Sequence, residues 1–176
     1  MVGIPGSGKS FFAEHFSKTF NAPMVSEEFL NSIVSSKEQT IVSVSEYILN
    51  ELFKTNQTLV YDGDATTRTG RQSFAKLAKS RGYEPLFIWV QTESVSAKQR
   101  ATKSGKINTL TSEEFNDAIK KFTPPNASEK AIVISGKHTY ASQLKIVLTR
   151  IASERQNSPA VRDIPTTPTR RSFLIR

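Results

Sequence analysis

A three-layer α/β fold, with helices on both faces of a mainly parallel sheet, is the fold class this sequence predicts. Three observations carry that prediction. Short apolar runs alternate with longer segments whose apolar residues recur at helical spacing, the order that produces parallel strands joined by right-handed crossovers. The run Pro85-Leu86-Phe87-Ile88-Trp89-Val90 is continuously apolar, as expected of a strand covered on both faces. A glycine-rich stretch, Gly3-Ile4-Pro5-Gly6-Ser7-Gly8-Lys9-Ser10, stands directly before a helical pattern.

The first helix is expected over residues 8–19, burying Phe11, Phe12, Phe16 and Phe20. Residues 22–25 read as a short strand. Ser26-Glu27-Glu28-Phe29-Leu30 opens a second helix whose first turn is acidic, which suits the positive end of its dipole. Residues 38–54 form a longer helix through Ile41, Val44, Ile48, Leu49, Leu52 and Phe53, and residues 58–61 a buried strand ending at Asp62. Residues 68–81 are helical, with Phe74, Leu77 and Ala78 on one side and Gly82 as the stop. The strand over 85–90 follows, with Trp89 read as packing. Residues 94–103 and 112–122 are helices around a basic linker, Pro124-Pro125 interrupts, residues 131–134 are the last strand, and residues 140–153 the closing helix.

Only Met1 and Val2 precede Gly3, whereas a loop of this kind ordinarily follows a buried strand of about five residues. The first strand is therefore expected to be nearly absent and central in the sheet, and the sequence reads as a truncated one at this end. One domain over residues 1–153 and a basic, Pro-containing tail over 154–176, without a fixed fold, complete the layout.

Residues 3–10 match G-x-x-x-x-G-K-[ST] in full. Gly3, Gly6 and Gly8 let successive backbone N–H groups turn inward on the phosphates of a nucleotide. Lys9 supplies a cation to the β- and γ-phosphates and Ser10 a hydroxyl to Mg²⁺, while the helix aims its positive end at the same anion. Gly3, Pro5, Gly6, Ser7, Gly8, Lys9, Ser10 and Phe11 are the candidate nucleotide contacts.

Ligands of open parallel sheets bind beyond the carboxyl ends of the strands, so acidic residues that directly follow strands are the candidate catalytic groups. Asp62, with Asp64 second, is the candidate Mg²⁺ carboxylate beside Ser10. Glu27 or Glu28 is a candidate general base for an acceptor hydroxyl, with Glu27 preferred. Lys98, Arg100, Lys103 and Lys106 form a candidate cationic lid over the γ-phosphate, Arg100 leading. Each has a plainer counterpart: a strand-ending turn, a helix-dipole acid, a solvated helix face. Arg68, Arg71 and Arg81 read as a surface face, the first two near enough to the Asp62 turn to meet substrate. Ser135-Gly136-Lys137-His138 follows the last strand, where a nucleotide base can sit.

Composition narrows the function classes. No cysteine is present, which excludes disulfides and thiolate metal centres and fits a cytoplasmic protein. Two histidines, His15 and His138, cannot build a metal cluster, and no apolar run approaches the roughly 18 residues of a membrane span. The formal charge of +8 is compatible with a nucleic-acid partner. It is concentrated in the candidate lid, which a triphosphate explains equally, and in the tail, where five arginines against Glu154 and Asp163 leave +3.

The loop GIPGSGKS, the carboxylates of SEEFL, the stretch YDGDATTRTGR and the segment KQRATKSGK together resemble, over residues 2–150, the P-loop kinases related to polynucleotide kinase. That group includes small-molecule kinases and zeta-type toxins and is often met as AAA-like ATP-binding proteins. The resemblance implies a P-loop NTPase fold using ATP and Mg²⁺. It places the base on Glu27, the third-strand aspartate on Asp62 or Asp64 and the lid cation near Arg100 or Lys103. Leu30 stands where the family's substrate-gripping arginine would be, a glutamate replaces the aspartate base, and Ser104 falls near the lid arginine's place. The implied activity is transfer of the γ-phosphate of ATP to a hydroxyl of a small molecule or a polynucleotide end. The other class is an ATP-binding switch without an acceptor, docking a partner through the basic tail or Phe173-Leu174-Ile175.

Overall fold

The computed structural model describes residues 1–33, 38–63, 65–103 and 109–157. Along the chain run α1 (Lys9–Phe20), β1 (Met24–Ser26), α2 (Glu27–Ile33), α3 (Glu38–Phe53), β2 (Val60–Asp62) and α4 (Arg68–Ser80). They are followed by β3 (Ile88–Gln91), α5 (Ser94–Ala101), α6 (Ser112–Lys121), a 3₁₀ turn (Ala127–Glu129), β4 (Ile132–Ser135) and α7 (Tyr140–Asn157).

All strand pairs are parallel. β1 lies beside β2 with Met24 opposite Val60, and β3 lies beside β4 with Ile88 opposite Ile132. Met1 and Val2 fill the space between these halves. Val2 bridges Trp89 in parallel, its N–H donating to the Ile88 carbonyl at 2.8 Å and its own carbonyl accepting from the Val90 N–H at 2.9 Å. On the other side the Met1 ammonium donates to the Tyr61 carbonyl at 2.7 Å. The spatial order is β1, β2, the two-residue stub, β3, β4, so the strand ahead of the glycine loop is indeed central and nearly absent.

Strand alternation divides the core into two layers. Ile88, Val90, Ile132 and Ile134 pack on Phe12 of α1 and Val147 of α7. On the opposite face Val25 packs with Leu30, Ile41, Leu49, Phe53 and Ala78 from α2, α3 and α4. Tyr61 stacks on Phe74 of α4 with ring centroids 4.6 Å apart, and Trp89 faces Phe122 at 6.5 Å. This is the expected three-layer arrangement, here with α1 and α7 against α2, α3 and α4.

Several details differ from expectation. β2 and β3 begin two and three residues later than their apolar runs, at Val60 and Ile88, where their ladders with β1 and β4 start. In α1 the buried face takes Phe12 and Ala13, so Phe11 turns outward and is 51% exposed; Phe20 is 45% exposed. Neither aromatic is in the core: Phe11 lies against the His15 ring and Phe20 against Phe16. Arg71 is the largest correction. It is fully buried and faces inward with Phe74 and Ala78, not outward with Arg68. Asp64, Ser104, Lys106 and the tail from residue 158 lie outside the described residues.

Candidate functional site

The glycine loop turns directly out of the central stub. Its tightest closure is the Ser7 N–H on the Ile4 carbonyl at 3.1 Å, and Thr92, just past β3, donates its hydroxyl to the Ser7 carbonyl at 2.9 Å. Gly6 has φ 74° and lies against α5, where a Cβ would collide with the Ala97 carbonyl. Gly8 has φ 101° and is the N-cap of α1, with open space where a Cβ would stand. Glycine at that cap supplies no side-chain oxygen, and the first turn of α1 contains no acid. The first N–H groups of the helix are therefore left for an external anion, the position in which a helix terminus binds phosphate.

Asp62 ends β2 on the side that α1 covers. It is 4% exposed, and neither carboxylate oxygen has a hydrogen-bond partner. A buried carboxylate with both oxygens unsatisfied is costly in an apolar interior, and a cation or its water shell is the natural complement. The donor set of Ser10 hydroxyl and Asp62 carboxylate has the hard oxygen character that Mg²⁺ takes, so the residues fit that ion. Among the described residues no three His, Asp or Glu side chains form a cluster able to hold a metal, which leaves substrate phosphates and water to complete any shell. Burial holds the Met1 ammonium below its ordinary pKa, with the Asp62 charge opposing that shift and the Lys9 charge adding to it.

The acidic pair at the start of α2 is split by the helix. Glu27 points toward the sheet and α3, where its Oε1 accepts from the Tyr61 hydroxyl at 2.6 Å and from the Ser45 hydroxyl at 3.2 Å. Glu28 points toward the loop, and the Ser10 hydroxyl donates to its Oε2 at 3.5 Å. The two neighbours thus play different parts: Glu27 is fixed by aromatic and hydroxyl partners, whereas Glu28 reaches Ser10 in the first turn of α1.

Arg100 lies on α5, which the loop itself touches. Its guanidinium donates to the Gly136 carbonyl at 3.1 Å. A Cβ on Gly136 would collide with the Ser7 carbonyl and the Thr92 hydroxyl, so the turn after β4 abuts the glycine loop. Arg100 therefore ties α5 to the β4 side of the site. Lys98 instead reaches Asn116 of α6 at 3.4 Å, Lys103 is exposed, and Lys137 pairs with Glu93 at 2.9 Å. His15 rests between the Phe11 and Tyr140 rings, and His138 is exposed on the turn. A cavity of about 490 Å³, lined in part by Ile4, Trp89, Glu93 and Phe122, opens beside the loop past the ends of β3 and β4.

Sequence reasoning missed the cluster that supports this site. Arg71 makes a two-pronged ion pair with Glu129, Nε to Oε1 at 2.6 Å and Nη2 to Oε2 at 3.1 Å. Its Nη1 also donates to the carbonyls of Ala65 and Thr123, each at 2.9 Å. With the Thr123 N–H on the Thr66 carbonyl, this knot fastens the loop just after Asp62 to the segment before β4. A signal was present: Arg71 stands three and seven residues before Phe74 and Ala78, on the apolar stripe of α4.

A phosphate loop entering from the middle of a parallel sheet, an uncapped helix behind it and a buried aspartate on the adjoining strand define the P-loop NTPase fold. Within that class the chain belongs to the AAA domain family, whose pattern matches residues 1–125. Among solved structures it is similar to a gluconokinase from Sinorhizobium meliloti 1021, with 16% identity, 89% of this chain and 91% of that one covered, and a TM-score of 0.64. A sugar kinase from Janibacter sp. HTCC2649 is similar to the same degree, with 13% identity, coverage of 86% and 91%, and a TM-score of 0.64. At such identities the likeness is one of fold. No curated protein matches it in sequence. Among the described residues no helix is long and apolar enough to cross a membrane.

Proposed function

We propose that the protein is an ATP- and Mg²⁺-dependent phosphotransferase, a P-loop kinase of the group related to polynucleotide kinase, that moves the γ-phosphate of ATP to a hydroxyl acceptor. The observation that carries this reading is Asp62, buried with both oxygens unsatisfied, at the end of the strand beside a phosphate loop that includes Lys9 and Ser10. Ser10 and Asp62 would hold Mg²⁺, which when bound neutralises phosphate charge. The loop amides and Lys9 hold the β- and γ-phosphates, and Arg100 steadies the β4 side of the site.

In the transfer step the acceptor oxygen bonds to the γ-phosphorus as the bond to the β–γ bridging oxygen breaks, releasing ADP. The acceptor's proton passes to a carboxylate. Glu27 is our first assignment for that base. The contact between Ser10 and Glu28 favours a second reading in which Glu28 is the base and Glu27 shapes the acceptor side. Because the two solved structures named above are kinases of gluconate or sugar, a small polyol or sugar acid is the first acceptor class to test, ahead of a polynucleotide end. The +8 charge keeps the nucleic-acid end in the panel, and a cytoplasmic location is part of the same proposal.

The test is ATP turnover against a panel of sugar acids, sugars and 5′-hydroxyl oligonucleotides, with Lys9→Ala as control. Acceptor-dependent ADP release that Lys9→Ala lowers at least about hundredfold is expected. Turnover unchanged by that substitution would reject the assignment. Hydrolysis independent of every acceptor would point to a nucleotide switch instead. Glu27→Gln and Glu28→Gln, assayed side by side, separate the two base assignments.

A further inference from the structure

We propose that Thr92 is a positioning residue for anion binding: its hydroxyl holds the Ser7–Gly8 peptide in the one orientation that aims the Gly8 N–H into the glycine loop. The inference rests on the reading of residues 3–10 as a phosphate cradle and adds to that cradle a residue from the far end of β3.

Ser7 is fixed at each of its polar backbone groups. Its N–H is spent on the Ile4 carbonyl at 3.1 Å, and its carbonyl accepts from the Thr92 hydroxyl at 2.9 Å. Its side chain is fully buried, in the space a Gly3 side chain would need. No peptide bond is cis among the described residues, so the Gly8 N–H points opposite to the Ser7 carbonyl within the same plane. With the carbonyl committed to Thr92, that N–H turns away from β3. Gly8 is the N-cap of α1, so its N–H joins the donors that begin the helix.

Gly8 does not hold this orientation by itself. A half-turn of the peptide would exchange the N–H for the carbonyl, changing ψ of Ser7 and φ of Gly8. Gly8, at φ 101° with open space where a Cβ would stand, accepts either sign of φ. The flipped peptide would present a carbonyl oxygen to the phosphates, which repels where an amide attracts. Resistance to the flip therefore comes from the carbonyl side. Thr92 supplies the hydrogen bond and Gly136 supplies the wall, since a Cβ there would collide with both the Ser7 carbonyl and the Thr92 hydroxyl. The wall is itself fastened: the Gly136 N–H donates to the Gln91 carbonyl at 2.8 Å and its carbonyl accepts from Arg100 at 3.1 Å.

The test reads polyphosphate binding, so it needs no acceptor and no turnover. Thr92→Val keeps the shape and removes the hydroxyl. It should weaken binding of tripolyphosphate with Mg²⁺, measured by calorimetry, at least about tenfold. Thr92→Ser, which keeps the hydroxyl, should restore most of that affinity. The Gly8 amide resonance should move on adding tripolyphosphate to the unsubstituted protein and move far less in Thr92→Val, a signature that a purely structural loss would not give. Gly136→Ala, which crowds the same carbonyl while Thr92 stays, should weaken binding in the same direction. Unchanged affinity in Thr92→Val overturns the inference, as does an equal loss in Thr92→Val and Thr92→Ser. An unsubstituted protein that binds no tripolyphosphate overturns it together with the proposed function. Tripolyphosphate binding without transfer to any acceptor counts against the proposed function alone and leaves the role of Thr92 standing.

Discussion

Asp62 and Arg71 are both buried charges near the same loop, and the fold treats them in opposite ways. Arg71 is fully satisfied, with a two-pronged carboxylate partner and backbone carbonyls from two segments. Asp62 has no hydrogen-bond partner on either oxygen. A saturated buried ion holds a scaffold in one geometry, and removing half of it strands the other half. An orphaned one stores an unmet demand that a ligand can answer, which is why such groups mark functional sites. On the proposed function, Arg71 belongs to architecture and Asp62 to chemistry.

Arg71→Ala should have the largest effect on the free protein, destabilising it by about 3–5 kcal/mol, because Glu129 and the carbonyls it serves are left buried. Denaturant unfolding measures this, and Arg71→Met, which fills the volume without a charge, should cost clearly less when Glu129→Leu accompanies it. A fully stable Arg71→Ala protein would break the comparison from the scaffold side. Asp62→Asn tests the other side. Turnover should fall at least about hundredfold, equivalent to ~2.7 kcal/mol of barrier, while the ligand-free protein loses clearly less stability than Arg71→Ala does, since no hydrogen bond is given up and only the attraction to the Met1 ammonium goes. A loss as large as that of Arg71→Ala would place Asp62 in the scaffold instead.

Smaller effects sharpen the contrast. Tyr61→Phe removes one hydroxyl from Glu27 and keeps the ring on Phe74, so a stability loss of about 1 kcal/mol is expected by denaturant titration. If Glu27 is the base, turnover falls in that variant as well. The smallest effect concerns pH. The hydrogen bond from Arg71 holds the Glu129 carboxyl below its ordinary value of 4.5. The stability it contributes is present above that ordinary value and is lost as pH falls through the lowered, folded-state one. Glu129→Gln should flatten the decline of Tm over that acid window.

The parts of the site that were legible in the sequence are those whose chemistry is contiguous. Residues 3–10 define the loop within one stretch, and Asp62 was identifiable because an apolar run ends on it. The choice between Glu27 and Glu28 depended on the rotation of α2, which is set by Tyr61 on β2 and Ser45 on α3, neither near it in sequence. Arg71 was misread because its partners lie 58 and 52 residues away in connecting segments that have no periodicity to read. Phe11 was misplaced by its identity: an aromatic next to Phe12 was counted as core, although adjacent residues on a helix stand about 100° apart.

Among the described residues, backbone bonding between the two halves of the sheet runs through Met1 and Val2, by three hydrogen bonds. The glycine loop begins at the very next residue, so the seam of the sheet and the anion cradle are one continuous piece of backbone. Whatever seizes the cradle also clasps the seam. Ligand occupancy should therefore register far from the loop, as tightening of the β1–β2 half against the β3–β4 half, with the whole domain behaving as the reporter of its own saturation.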